Sequence, residues 1–152
     1  MTDEKIKQLA EKYPKILRNL GGDPSETCMS WMHGEIACGD GWYDLLDNLM
    51  GFCQFHTDKN CYPQVVADQI KEKFGTLRFY YYTENNPELE ELKETVPDPK
   101  YAYRPVEMLE GAISFAEHMS ASICEGCGNP GTFRNKGWTS TQCDECYEKK
   151  II

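Results

Sequence analysis

The chain has 152 residues, 40% of them hydrophobic and 12% aromatic, and a formal net charge of −9. That apolar share excludes a disordered chain, and the length suits one ordinary core with a small appendage. The acidic balance argues against a protein that coats duplex nucleic acid, where neutralising phosphates supplies most of the non-specific affinity.

Residues 3 to 20 read as an amphipathic helix, with Thr2 as its cap and Ile6, Leu9, Ala10, Tyr13, Ile16, Leu17 and Leu20 at helical spacing. Pro14 falls inside this pattern as a kink or restart, and Gly21-Gly22 stops it. Residues 23 to 41 read as a loop or short strand around Ser30-Trp31-Met32-His33. Asp40 is the expected cap of a second helix through Trp42, Leu45, Leu46, Leu49, Met50 and Cys53.

Val65 to Lys71 fits strand or helix alike. Leu77 to Tyr82, rich in aromatics after Gly75, is a strand signal, so residues 64 to 82 predict a hairpin turning at Phe74-Gly75-Thr76. Strand alternation puts Leu77, Phe79 and Tyr81 on one face and Arg78, Tyr80 and Tyr82 on the other. The stretch 83 to 99 holds six acids against Lys93 and is broken by three prolines, which suits a solvated loop or short helix. A helix from Pro105 is expected to bury Val106, Leu109, Ile113, Ala116 and either Met119 or Ser120. The expected architecture is α+β: N-terminal helices on a small antiparallel sheet form a body over residues 1 to 122, with a zinc-ribbon unit over 123 to 152 packed on it.

That C-terminal unit carries Cys124-Glu125-Gly126-Cys127 and, fifteen residues later, Cys143-Asp144-Glu145-Cys146. This is the spacing of a four-thiolate zinc site: each C-x2-C closes a knuckle on one ion, and Gly126 and Gly128 let the backbone turn where a Cβ would crowd it. Four protein ligands leave no position for water, so a structural Zn2+ is expected at Cys124, Cys127, Cys143 and Cys146, with reduced buried cysteines as the alternative. No run reaches the roughly 18 apolar residues of a membrane span, and Met1-Thr2-Asp3-Glu4-Lys5 lacks the order of an export signal. A soluble cytoplasmic protein with reduced thiols follows. Cys28, His33, Cys38, Cys53, His56 and Cys61 could supply a second metal site, with Cys53 and His56 on one helical face, but the set follows no standard spacing and reads more simply as buried cysteines with surface histidines.

A ligand site is expected around the hairpin. Lys71, Lys73 and Arg78, beside Tyr80 and Tyr82, offer cations for phosphate oxygens and rings for a planar base, and Arg134, Lys136 and Trp138 of the ribbon could form one wall. The plainer alternative is a half-solvated sheet face with surface lysines. Within the ribbon, Phe133 and Trp138 either stack on a base or, as small metal units need aromatic filling, pack the ribbon against the body; packing is the expected role.

Catalysis has little support, since the chain lacks a G-x-S-x-G elbow, a P-loop and an H-E-x-x-H pair. The segments Cys38-Gly39-Asp40-Gly41-Trp42 and Lys71-Glu72-Lys73-Phe74-Gly75-Thr76-Leu77-Arg78-Phe79-Tyr80-Tyr81, followed by the paired C-x2-C motifs, resemble a group of small uncharacterised proteins of bacteriophages and bacteria. The resemblance covers roughly residues 38 to 147 and brings no catalytic residues. It implies a phage-type accessory protein acting in the bacterial cytoplasm, where blocking host defence is a frequent task. The expected function is ligand binding, with a host nucleotide signal as the ligand. The alternatives are a protein-interaction module that inhibits a host protein through its acidic 83 to 99 segment, and a zinc-dependent hydrolase built near Cys53 and His56.

Overall fold

A computed structural model describes residues 1–21, 36–60, 62–95 and 105–151. The α1 helix, Asp3–Lys12, ends eight residues earlier than its apolar pattern. Pro14 lacks an N–H and disfavours the helical region for the residue before it, and Tyr13 accordingly leaves the helix at φ −126° and ψ 56°. Residues 14 to 20 continue as turns. Ile16 and Leu17 are still buried, which is why the pattern outran the helix. Thr2 occupies the cap position without a side-chain cap bond; its hydroxyl and N–H both donate to the Asp40 carboxylate instead.

After β1 (Ile36–Ala37), a single 3-10 turn over Asp40–Trp42 leads into α2, Tyr43–Asn60. Asp40, turned towards Thr2 and paired with Lys5 at 3.9 Å, does not cap α2 as expected. The predicted hairpin is present as β2 (Gln64–Lys73) and β3 (Thr76–Glu84), antiparallel through nine residue pairs, and the ambiguous Val65–Lys71 stretch is strand. Its turn places Phe74 at φ 55° and Gly75 at φ 81°, the two positive values that a type I′ turn demands. Strand β1 joins β2 in parallel, so the sheet, in order β1-β2-β3, is mixed where an antiparallel one was expected. A bulge interrupts β2 between Ala67 and Gln69, and there the Ala67 N–H donates to Ile16 O at 2.8 Å, tying the post-α1 turns to the sheet.

The acidic stretch contains α3, Pro87–Thr95, the short-helix form of the expectation. Helix α4, Pro105–Ser120, buries Leu109, Ile113, Ala116 and Ser120, while Val106 and Met119 stay exposed. It also covers the open edge of β3, whose outward amides would otherwise be unpaired. Ser120 Oγ accepts from Leu77 N at 2.8 Å, and Glu117 Oε1 accepts from Phe79 N at 2.8 Å. The core between helices and sheet joins Leu9, Trp42, Leu46, Met50, Ile70, Leu77, Phe79 and Leu109 in one cluster. Beyond it, β4 (Thr132–Arg134) pairs antiparallel with β5 (Ser140–Gln142), and α5 (Asp144–Ile151) closes the described chain. The molecule is therefore α+β, with a small two-stranded unit at its C-terminal end. No helix among the described residues is long and apolar enough to cross a membrane.

Candidate metal centre and ligand face

The four C-terminal sulfurs converge. Cys124 and Cys127 flank the turn that follows α4, Cys143 follows β5, and Cys146 lies one turn into α5; all four Sγ atoms sit within 4.8 Å of one another. Metal–sulfur arms of about 2.3 Å give a tetrahedron with edges near 3.8 Å, and Cys127 Sγ lies 3.6 Å from Cys143 Sγ. Gly126 sits where a Cβ would come within 3.2 Å of Cys146 Sγ.

The electrostatics call for a cation. Burial opposes ionisation of Cys124, but hydrogen bonds from the backbone at Cys143, Cys127 and Gly126 outweigh it and bring the thiol down to about 7. Its neighbours then resist: Cys146, hydrogen-bonded to Cys127 and Cys143 and facing Cys124, is pushed up to about 12. Four thiolates in this space need a bound metal to ionise together. The residues fit that role, and the set can hold one metal ion.

The centre is clasped to the body by one backbone pair and two bonds between a side chain and backbone. Gly41 N donates to Glu125 O at 2.8 Å, Gly39 N to Glu125 Oε1 at 2.9 Å, and the buried Trp42 Nε1 to Ile123 O at 2.9 Å. A Cβ on Gly41 would lie 2.1 Å from Cys124 O and 2.4 Å from Gly128 N; one on Gly39 would lie 2.2 Å from Glu125 O. Spacing arguments did not foresee this seam. Its one signal in the chain is the pair of glycines around Asp40, because a missing Cβ marks a close backbone approach.

A second contact joins the hairpin turn to the same unit. Thr141 Oγ1 donates to Gly75 O at 2.6 Å, and the Phe133 ring lies against Gly75, where a Cβ would meet Phe133 Cδ2 at 2.9 Å. Phe133 and Trp138 meet the body at the hairpin, as the packing role has it, but do not fill the unit: they remain 56% and 82% exposed, and among its described residues Cys124, Ser140, Thr141 and Gln142 are the buried ones.

Of the expected ligand residues, the sheet brings five together. Lys71 pairs across the strands with Arg78, and alternation places Lys73, Tyr80 and Tyr82 on the same outer face. Lys71 Nζ stands 5.3 Å above the Tyr80 ring. The Arg78 guanidinium is turned back to Thr76 Oγ1 at 2.6 Å and Leu77 O at 2.7 Å, and Tyr82 OH accepts from Arg18, which pairs with Glu84. None of Lys71, Lys73 and Arg78 pairs with a carboxylate among the described residues. Arg134 is committed within its own unit, donating to Gln142 O at 3.2 Å and to Asp144 and lying 4.9 Å from the Tyr147 ring. Lys136 is exposed, and Trp138 reaches the hairpin through Glu72, with Nε1 3.3 Å from Oε2.

The other cysteines are differently placed. Burial pushes Cys38 and Cys53 up to about 12, so both stay neutral thiols in the apolar cluster. The His56 ring lies among Phe52, Phe55 and Tyr62, with 5.0 Å between its centroid and that of Tyr62. Cys28, His33 and Cys61 lie outside the described residues. Scans against protein-family models, curated proteins and solved structures find no match for the chain.

Proposed function

We propose that the protein is a zinc-stabilised, phage-type accessory protein of the bacterial cytoplasm that binds a small phosphate-bearing ligand with a planar base, a host nucleotide signal in particular. The observation that carries the reading is the outer face of β2 and β3, where Lys71, Lys73 and Arg78 share a face with Tyr80 and Tyr82 and none of the three cations pairs with a carboxylate among the described residues. Guanidinium and ammonium groups meet phosphate oxygens while a tyrosine ring takes the base. In this reading the four-cysteine unit is a zinc ribbon that acts as a clasp and does no chemistry. Calorimetric titration against cyclic dinucleotides and cyclic ADP-ribose-type compounds tests it: binding should weaken on Arg78→Ala and Tyr80→Ala, and silence across the panel would sink it.

A second reading, inhibition of a host protein, is favoured by helix α3, which exposes Glu88, Glu91 and Glu94. An acidic helix of this kind suits a basic partner surface. Replacing the three with Gln should abolish capture of a basic host protein from bacterial lysate and leave nucleotide titration unchanged.

A further inference from the structure

Three exposed rings gather around the hairpin turn: Phe74 at 69% exposure, Phe133 at 56% and Trp138 at 82%. Phe74 forms the turn itself, Phe133 abuts Gly75, and Trp138 is fastened to Glu72 three residues before that glycine. Neither packing nor the turn accounts for them. A type I′ turn is built best with Asn or Gly at the position that Phe74 holds at φ 55°, so an aromatic there works against the local backbone. Large apolar groups grouped at a surface mark a place of contact.

The fastening of Trp138 says what kind of contact. The Glu72 carboxylate uses Oε1 to accept from Gly75 N at 2.6 Å and Oε2 to accept from the indole Nε1 at 3.3 Å. The indole is thus held by one edge with its faces in solvent, and its N–H is already engaged. A tryptophan that inserts into a lipid interface would carry that carboxylate with it, at a heavy desolvation cost. A planar ring that stacks on the indole needs no N–H. Lys73 Nζ lies 5.5 Å from the Phe74 ring centroid, and Lys136 is exposed in the β4–β5 connection that also carries Trp138; neither pairs with a carboxylate among the described residues.

We infer that this tip binds single-stranded nucleic acid, its bases stacking on Trp138, Phe74 and Phe133 and its phosphates meeting Lys73 and Lys136. Such platforms are sequence-tolerant, because every base has a π-face, and they require unpaired bases. The chain's acidity, which works against coating a duplex, is compatible with a few local phosphate contacts beside aromatic stacking. The site shares Lys73 with the nucleotide-signal reading but does not use Arg78 or Tyr80, so Arg78→Ala and Tyr80→Ala should spare oligonucleotide binding and thereby tell the failure of one reading from that of the other.

Fluorescence anisotropy with a labelled oligothymidylate of roughly 12 nucleotides tests the inference. Expected are binding that weakens as salt rises, preference over a duplex of the same length, and a loss of about ten-fold or more in each of Trp138→Ala and Phe74→Ala. Both side chains are exposed, so metal content and melting should match the parent protein and thereby show that the fold is intact. Absence of binding, equal binding of duplex, indifference to both substitutions, or capture by anionic phosphatidylserine vesicles without capture of the oligonucleotide would each overturn it.

Discussion

The Trp42 indole donates to the carbonyl of Ile123, 2.9 Å away, and so joins the start of α2 to the chain entering the metal centre across 81 residues of sequence. Trp42 is fully buried. Trp42→Phe keeps an aromatic ring but leaves that carbonyl unpaired and a cavity beside it; losing the buried partner alone costs about 1–3 kcal/mol, and the cavity adds to this. Urea unfolding should show a midpoint lowered by at least this free energy divided by the slope, with the slope itself unchanged.

Two glycines should respond with opposite signs. Gly41→Ala drives a Cβ onto Cys124 O and Gly128 N, so the clasp must open, and metal affinity measured by chelator competition should fall. Gly111 lies exposed within α4 with open space around it, and Gly111→Ala should raise stability by about 0.5–1 kcal/mol without touching metal affinity.

Metal removal tests the clasp directly. Cys124→Ser, Cys143→Ser or a strong chelator should unfold at least the C-terminal unit, because the binding energy of a structural metal ion is folding energy. The Gly39 and Gly41 amides, which donate to Glu125, should then exchange with solvent faster. Metal analysis is expected to give one zinc per chain, and retained zinc with unchanged melting in both serine variants would refute the assignment.

Acid should loosen the N-terminal helix. The Asp40 carboxyl is held below its usual range first by the Thr2 backbone N–H, aided by the Thr2 hydroxyl and Lys5. Asp47 is lowered too: burial opposes this, but hydrogen bonds from Lys12 and Tyr13 prevail. Carboxyls with depressed folded-state pKa stabilise fully above their unfolded value, about 3.9, and lose that contribution as the pH falls through the folded one. Melting temperature should therefore hold near pH 5 and fall below about pH 4, and Asp47→Asn should flatten the drop.

What was legible in the sequence is what local spacing encodes. Paired C-x2-C motifs bring ligands together over short loops, and the alternation from Leu77 to Tyr82 with Gly75 before it gave the hairpin and its two faces. Helix α1 was overextended because Ile16 and Leu17 are buried from turns, which no periodicity separates from a helix. The parallel pairing of β1 and the Gly41 N–H to Glu125 carbonyl bond join segments distant in the chain, and backbone-to-backbone contact leaves no side-chain pattern to read. Asp40, read as a helix cap, turns its carboxylate to Thr2, 38 residues away, a contact that local spacing does not encode.

At the seam, the atoms that a Cβ on Gly41 would strike are a carbonyl oxygen and two amide nitrogens, and every residue type carries these. Trimming the opposite wall therefore cannot compensate for a bulkier residue there. In a selection for revertants of Gly41→Ala, restorative changes should arise where the chain can re-route, and the positions facing the lesion should stay silent. At Gly41 the clasp is main chain set against main chain, with no side chain on the facing wall to refit.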